Sequence, residues 1–102
     1  MYIDSHCHIN FPELNKNIDK VLSNMEKNLI SHALCVSVTL DNFQSVLKLA
    51  QSHKHIFASV GVHPDYEDID EPDIETLLLH TKNKDVVAVG ETGLDYFRLK
   101  GD

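Results

Sequence analysis

No stretch of this sequence approaches the ~18 consecutive apolar residues that a membrane-spanning helix requires, which excludes a transmembrane chain and any membrane partner. The opening residues, Met1-Tyr2-Ile3-Asp4-Ser5, lack the basic region and apolar stretch of a secretory signal, so the expected location is the cytoplasm. Cysteine is scarce. Cys7 and Cys35 lie far apart and form no C-x-x-C pair, which excludes a disulfide framework and a thiolate zinc knuckle and leaves two reduced thiols. Basic residues are few as well: nine Lys and Arg stand against sixteen Asp and Glu, for a net charge of -7. A module that grips nucleic-acid phosphates through a basic patch is thereby excluded, because counterion release needs clustered positive side chains. Phosphate chemistry on this chain would need another positive charge. A bound divalent metal supplies one, and seven histidines in 102 residues offer ligands for it.

The remainder describes one soluble globular domain spanning residues 1–102. Apolar residues make up 42% and charged residues 25%, and a chain of this size can bury about 65% of its open-chain surface. No linker, low-complexity segment or break in composition interrupts it. Tyr2 to Ser5 is short and apolar, and Asn10, Pro12 and Asn15 mark a loop. Ile18, Val21, Leu22, Met25 and Leu29 recur at offsets of three and four, one face of an amphipathic helix. Ala33 to Val38 is a compact apolar run that suits a buried strand. The cycle then repeats. Asp41 and Gln44 resemble a capping box, Phe43, Val46, Leu47 and Ala50 form a second stripe, and Ile56 to Val60 is a third strand. A polar acidic loop from Asp65 to Asp73 leads to Ile74, Leu77 and Leu78 on a third helix, and Asp85 to Gly90 is a fourth strand.

Wholly apolar strands separated by amphipathic helices are what a parallel α/β sheet with covered faces requires. Strand starts near residues 2, 33, 56 and 86 recur every ~28 residues, close to the ~31 per unit of an eight-unit barrel. Four such strands form either an open sheet in its own right or the front of something larger.

His6 and His8, two apart at the end of the first strand, point to one side while Cys7 points to the other. Paired imidazoles suit a borderline divalent ion, although H-x-H alone is equally the polar end of a strand. Glu91 follows the fourth strand at the end where parallel α/β proteins place ligand and catalytic groups; alone it reads equally as a helix cap or a loop ion pair. His63 follows the third strand, with Pro64 holding it extended. The four residues gain weight together, because all fall at the same end of separate strands. His32, His53, His55 and His80 lie elsewhere and need only solvation or a helix end to explain them.

These segments carry a resemblance. Tyr2-Ile3-Asp4-Ser5-His6-Cys7-His8-Ile9-Asn10 is similar to the N-terminal signature of the TatD family of metal-dependent deoxyribonucleases. Gly61-Val62-His63-Pro64 and Gly90-Glu91-Thr92-Gly93-Leu94-Asp95-Tyr96 resemble two later segments of that family, in the same order and spacing. The resemblance implies a (β/α)8 barrel, of which these residues are the first four β/α units, with two divalent ions (magnesium, manganese or zinc) at the mouth of the strands. It implies that His6 and His8 hold one ion and that Glu91 shares or bridges the pair and takes part in catalysis. His63 would lie beside the pocket against a substrate phosphate, and Asp4 and Asp95 would orient ligands or loops. The family's remaining ligands, two histidines and an aspartate, come from later strands that these 102 residues do not include.

The implied activity is hydrolysis of DNA phosphodiester bonds by a metal-activated water. Two alternatives stand beside it: amide or ester hydrolysis on the same scaffold, and a non-catalytic fragment that self-associates through open sheet edges. Geometry adds a condition. Strands one and four of a flat sheet lie about 14 Å apart, so His6, His8 and Glu91 meet only if the sheet curves as a barrel does.

Overall fold

The computed structural model describes residues 1–66 and 71–97. The middle of the expected acidic loop and the end at Gly101-Asp102 lie outside the described residues. Four strands, β1 (Tyr2–Cys7), β2 (Ile30–Cys35), β3 (Ile56–Val60) and β4 (Val86–Val89), pair in parallel in their sequence order. The connections carry α1 (Pro12–Asn15) and α2 (Ile18–Lys27), then α3 (Leu40–Ser52), then α4 (Ile74–Thr81). This is the α/β arrangement that the alternating periods predict.

The core lies between β2, β3 and α3. Phe43 and Val46 of α3 are fully buried against Cys35, Ile56, Ala58 and Val60. The α3 stripe thus matches its sequence reading, with Leu49 buried as well. The α2 stripe is shallower: Ile18, Val21, Leu22 and Met25 pack half-buried on the same core.

Three local readings change. Residues 12–15 form a helical turn, α1, where a loop is expected, because Pro12 at its start has the backbone angle a helix needs and no N–H to waste. The cap of α3 sits two residues earlier than Asp41. Thr39 accepts the N–H of Asn42 at 2.9 Å, while the Asn42 side chain accepts the N–H of Val38 at 3.0 Å. Asp41 instead occupies the first turn, where its charge favours the helix dipole. Strand β2 begins at Ile30, not near Ala33, because the Ser31 hydroxyl and the Leu29 carbonyl tie the polar first half of the strand to Tyr2. That half carries an exposed His32 and therefore shows no apolar run.

Leu29, expected on the α2 stripe, lies beyond the helix. Its N–H bonds the Glu26 carbonyl at 3.1 Å, its φ is 62°, and its side chain is 63% exposed. This is the left-handed position that usually holds glycine.

The outer elements are thinly covered. Tyr2 and Ile3 of β1, Val87 and Val89 of β4, and Ile74, Leu78 and Leu79 of α4 are all more than half exposed. Among the described residues no helix is long and apolar enough to cross a membrane.

Leu29→Gly relieves the left-handed strain without emptying any core position. It is expected to stabilise the chain by about 1 kcal/mol, read as a higher urea midpoint at an unchanged slope.

Candidate metal centre

Extended backbone at the end of β1 sends His6 and His8 to one side and Cys7 to the other, as the two-residue period requires. The Cys7 thiol donates to the Leu34 carbonyl at 3.4 Å. The neighbouring Cys35 thiol and burial push its pKa far above the ordinary range, so Cys7 stays a protonated thiol inside the sheet. The Asp4 carboxylate accepts the backbone N–H of His6 at 3.1 Å. Asp4 therefore braces the strand end and lies outside the His6–His8–Glu91 cluster.

The imidazoles of His8 and His63 are each oriented by a backbone partner. The Nδ1 of His8 lies 3.0 Å from the Val36 carbonyl, which only accepts, so Nδ1 carries the proton and Nε2 presents a lone pair. The opposite holds for His63. Its Nδ1 accepts the N–H of Asp65 at 3.0 Å, which places the proton on Nε2, 3.4 Å from Oε1 of Glu91. The resemblance gives His8 and His63 different roles, and their backbone partners give the two rings opposite tautomers.

Glu91 lies between them. Its Oε2 is 3.3 Å from Nε2 of His8 and 3.6 Å from Nε2 of His6, and the two ring nitrogens are 3.2 Å apart. Among the described residues these three side chains form the one cluster able to hold a metal ion. The sheet therefore curves enough within four strands to bring together groups that a flat sheet would hold apart. A triangle with these edges has its centre about 2 Å from each corner, the bond length of zinc to imidazole or carboxylate. Nitrogen lone pairs facing each other this closely repel unless a proton or a cation lies between them. The donor set thus fits a divalent ion, with the His8 ring held by a backbone carbonyl as metal-bound histidines usually are. Asp95 is not in the cluster; its carboxylate accepts the N–H of Phe97 at 3.0 Å and shapes the loop after Glu91.

Comparison with known proteins gives this geometry a lineage. The family model described as TatD related DNase matches residues 3–102. The chain belongs to the TatD family. Over 94% of its length it is 37% identical to a Buchnera aphidicola protein named an uncharacterized metal-dependent hydrolase, and spans 37% of that protein. The similarly named YcfH of Escherichia coli K12 is 35% identical over 93% of the chain, again covering 37% of the relative. Two solved TatD structures share the fold. The Escherichia coli homologue YjjV superposes with a TM-score of 0.80 at 29% identity, over 94% of this chain and 38% of that one. A TatD-family hydrolase from Entamoeba histolytica gives 0.79 at 28% identity, over 97% and 39%. The TatD chain described here thus spans well under half the length of these relatives.

Within the TatD site, the sequence reading missed what holds Glu91 in place. Its N–H donates to the Ser37 carbonyl at 2.9 Å, and the N–H of Gly90 to Val60 at 2.9 Å. The Ser59 hydroxyl donates to the Gly90 carbonyl at 2.8 Å and accepts the N–H of Ser37 at 3.0 Å; the Ser37 hydroxyl donates to the Ser59 carbonyl at 2.6 Å. Both serines are almost completely buried. Gly61 completes the seat, since a Cβ there would lie 2.7 Å from the carbonyl carbon and oxygen of Gly90. The sequence carries a faint sign of this. Two apolar runs, Val36-Ser37-Val38 and Ala58-Ser59-Val60, each enclose one serine that a purely hydrophobic strand would not need.

Ser59→Ala strips a buried donor from Gly90 and a buried acceptor from Ser37. A loss of roughly 1–3 kcal/mol is expected, measured by urea denaturation.

Proposed function

We propose that residues 1–102 are the first four β/α units of a single TatD-type barrel that hydrolyses DNA phosphodiester bonds. The observation that carries this reading is the convergence of His6, His8 and Glu91 into a metal-sized triangle at the strand ends, beside a histidine whose proton faces the site. The family description supplies the substrate class.

In this reading His6 and His8 would hold one ion, and Glu91 would be shared by the pair. Divalent ions, magnesium, manganese or zinc, would lower the pKa of a bound water and neutralise charge on the phosphoryl oxygens. Residues 1–102 would supply part of the site around them. Val36 fixes the His8 lone pair toward the ion, and Asp4 steadies the backbone of His6. Glu91 brings the carboxylate charge that selects a cation. His63 holds a proton on Nε2 beside the carboxylate, placed to donate to a phosphate oxygen entering the site. Asp95 keeps its supporting role in the following loop. The net charge of -7 is compatible with a phosphate substrate because metal ions, not Lys or Arg, meet it. We place this activity in the cytoplasm, with no membrane partner.

In the alternative reading, in which residues 1–102 stand as a fragment, the unpaired edges of β1 and β4 favour pairing with a second copy of the chain. Light scattering is expected to show species heavier than a monomer, and a clean monomer up to the highest usable concentration would count against such pairing.

For the metal site, Glu91→Ala is expected to weaken Mn²⁺ binding at least tenfold by calorimetry and to lower the metal content of the purified protein. Unchanged stoichiometry and affinity would defeat the assignment. Comparing labelled DNA with ester and amide substrates in Mn²⁺, Mg²⁺ or Zn²⁺ then separates phosphodiester from acyl chemistry.

A further inference from the structure

One opening beside the triangle is not explained by metal chemistry. A cavity of about 350 Å³ lies on the His63 side of Glu91, bounded by His8, Phe11, His63, Asp65, Tyr66 and Glu91 among others. Its size falls within the ~300–1,000 Å³ of small-ligand pockets. Two aromatic rings flank it, each anchored on a site histidine. Phe11 stacks on His8 with ring centres 4.8 Å apart and planes 18° from parallel. Tyr66 meets His63 edge-on at 6.4 Å and is 42% exposed. These two histidines contact opposite oxygens of Glu91, so both aromatic walls are referenced to the same carboxylate.

The charge of the lining narrows what can enter. Beside Glu91, which belongs to the metal triangle, the lining among the described residues contains one further carboxylate, Asp65, and no Lys or Arg. Asp65 disfavours a second phosphate there, whereas a flat uncharged ring would find two π surfaces. Aromatic side chains hold bases of either class by stacking, without reading sequence.

We propose that this cavity is a nucleobase subsite in which Tyr66, with Phe11 as the opposite wall, holds the base of the nucleotide next to the phosphate at the metal triangle. The proposal rests on the phosphodiester reading and extends it to the groups that position the strand.

The test is fluorescence anisotropy in Mn²⁺ with two labelled probes of equal charge: a hexathymidylate, and a six-unit abasic phosphodiester. The base-bearing strand is expected to bind roughly tenfold tighter. Tyr66→Ala should remove most of that advantage while leaving the abasic strand unchanged, and Tyr66→Phe should preserve it; circular dichroism checks that both variants remain folded. Equal affinity for the two probes, or an equal loss on both in Tyr66→Ala, overturns the base subsite and leaves the phosphodiester reading standing. No binding of either probe overturns both.

Discussion

The backbone at Gly90-Glu91 can occupy its position only because Gly61 has no side chain. From that close approach the rest of the site follows. With β4 seated on the end of β3, the Glu91 N–H reaches Ser37 beyond β2, and three successive strand ends become one hydrogen-bonded floor. On this floor the carboxylate of the fourth strand meets histidines from the first. Sheet curvature is thus not simply a global property of barrels here. It is secured locally by two buried hydroxyls and a missing methyl group.

That floor is built from neutral groups. Hydrogen bonds between hydroxyls and carbonyls, shielded from water, orient the carboxylate without adding charge to the site. The ionic character is left to His6, His8 and Glu91, which face outward. Backbone partners then divide the labour among similar side chains. Val36 makes His8 an electron-pair donor, and the N–H of Asp65 makes His63 a proton donor, although both contact the same carboxylate.

Much of this was legible in the sequence. The two-residue spacing of His6 and His8, and the fall of His63 and Glu91 just past apolar runs, mark these residues in the sequence, because strand periodicity dictates side-chain direction. The helical stripe at Phe43, Val46 and Ala50 was equally plain. What escaped was decided by contacts between segments distant in sequence. The tautomers of His8 and His63 depend on carbonyl and amide partners across the fold. Ser37 and Ser59 look like ordinary polar residues until their strands lie side by side. The early start of β2 was hidden because pairing with β1, not burial, extends it through Ser31 and His32. Leu29 illustrates the reverse case: its spacing fits the stripe, yet the turn after α2 claims its backbone.

The strand order has a consequence for biosynthesis. Because β1, β2, β3 and β4 pair strictly with their predecessors, each addition closes only a short segment of chain, and no later strand must be threaded between earlier ones. A nascent chain can therefore extend its sheet in step with translation, each new strand docking on one already made, at the slower pace that parallel pairing across a connecting helix imposes. The two histidines are made before their carboxylate. The His6–His8–Glu91 triangle is consequently completed only after the β2, β3 and α3 segments that support it have been made.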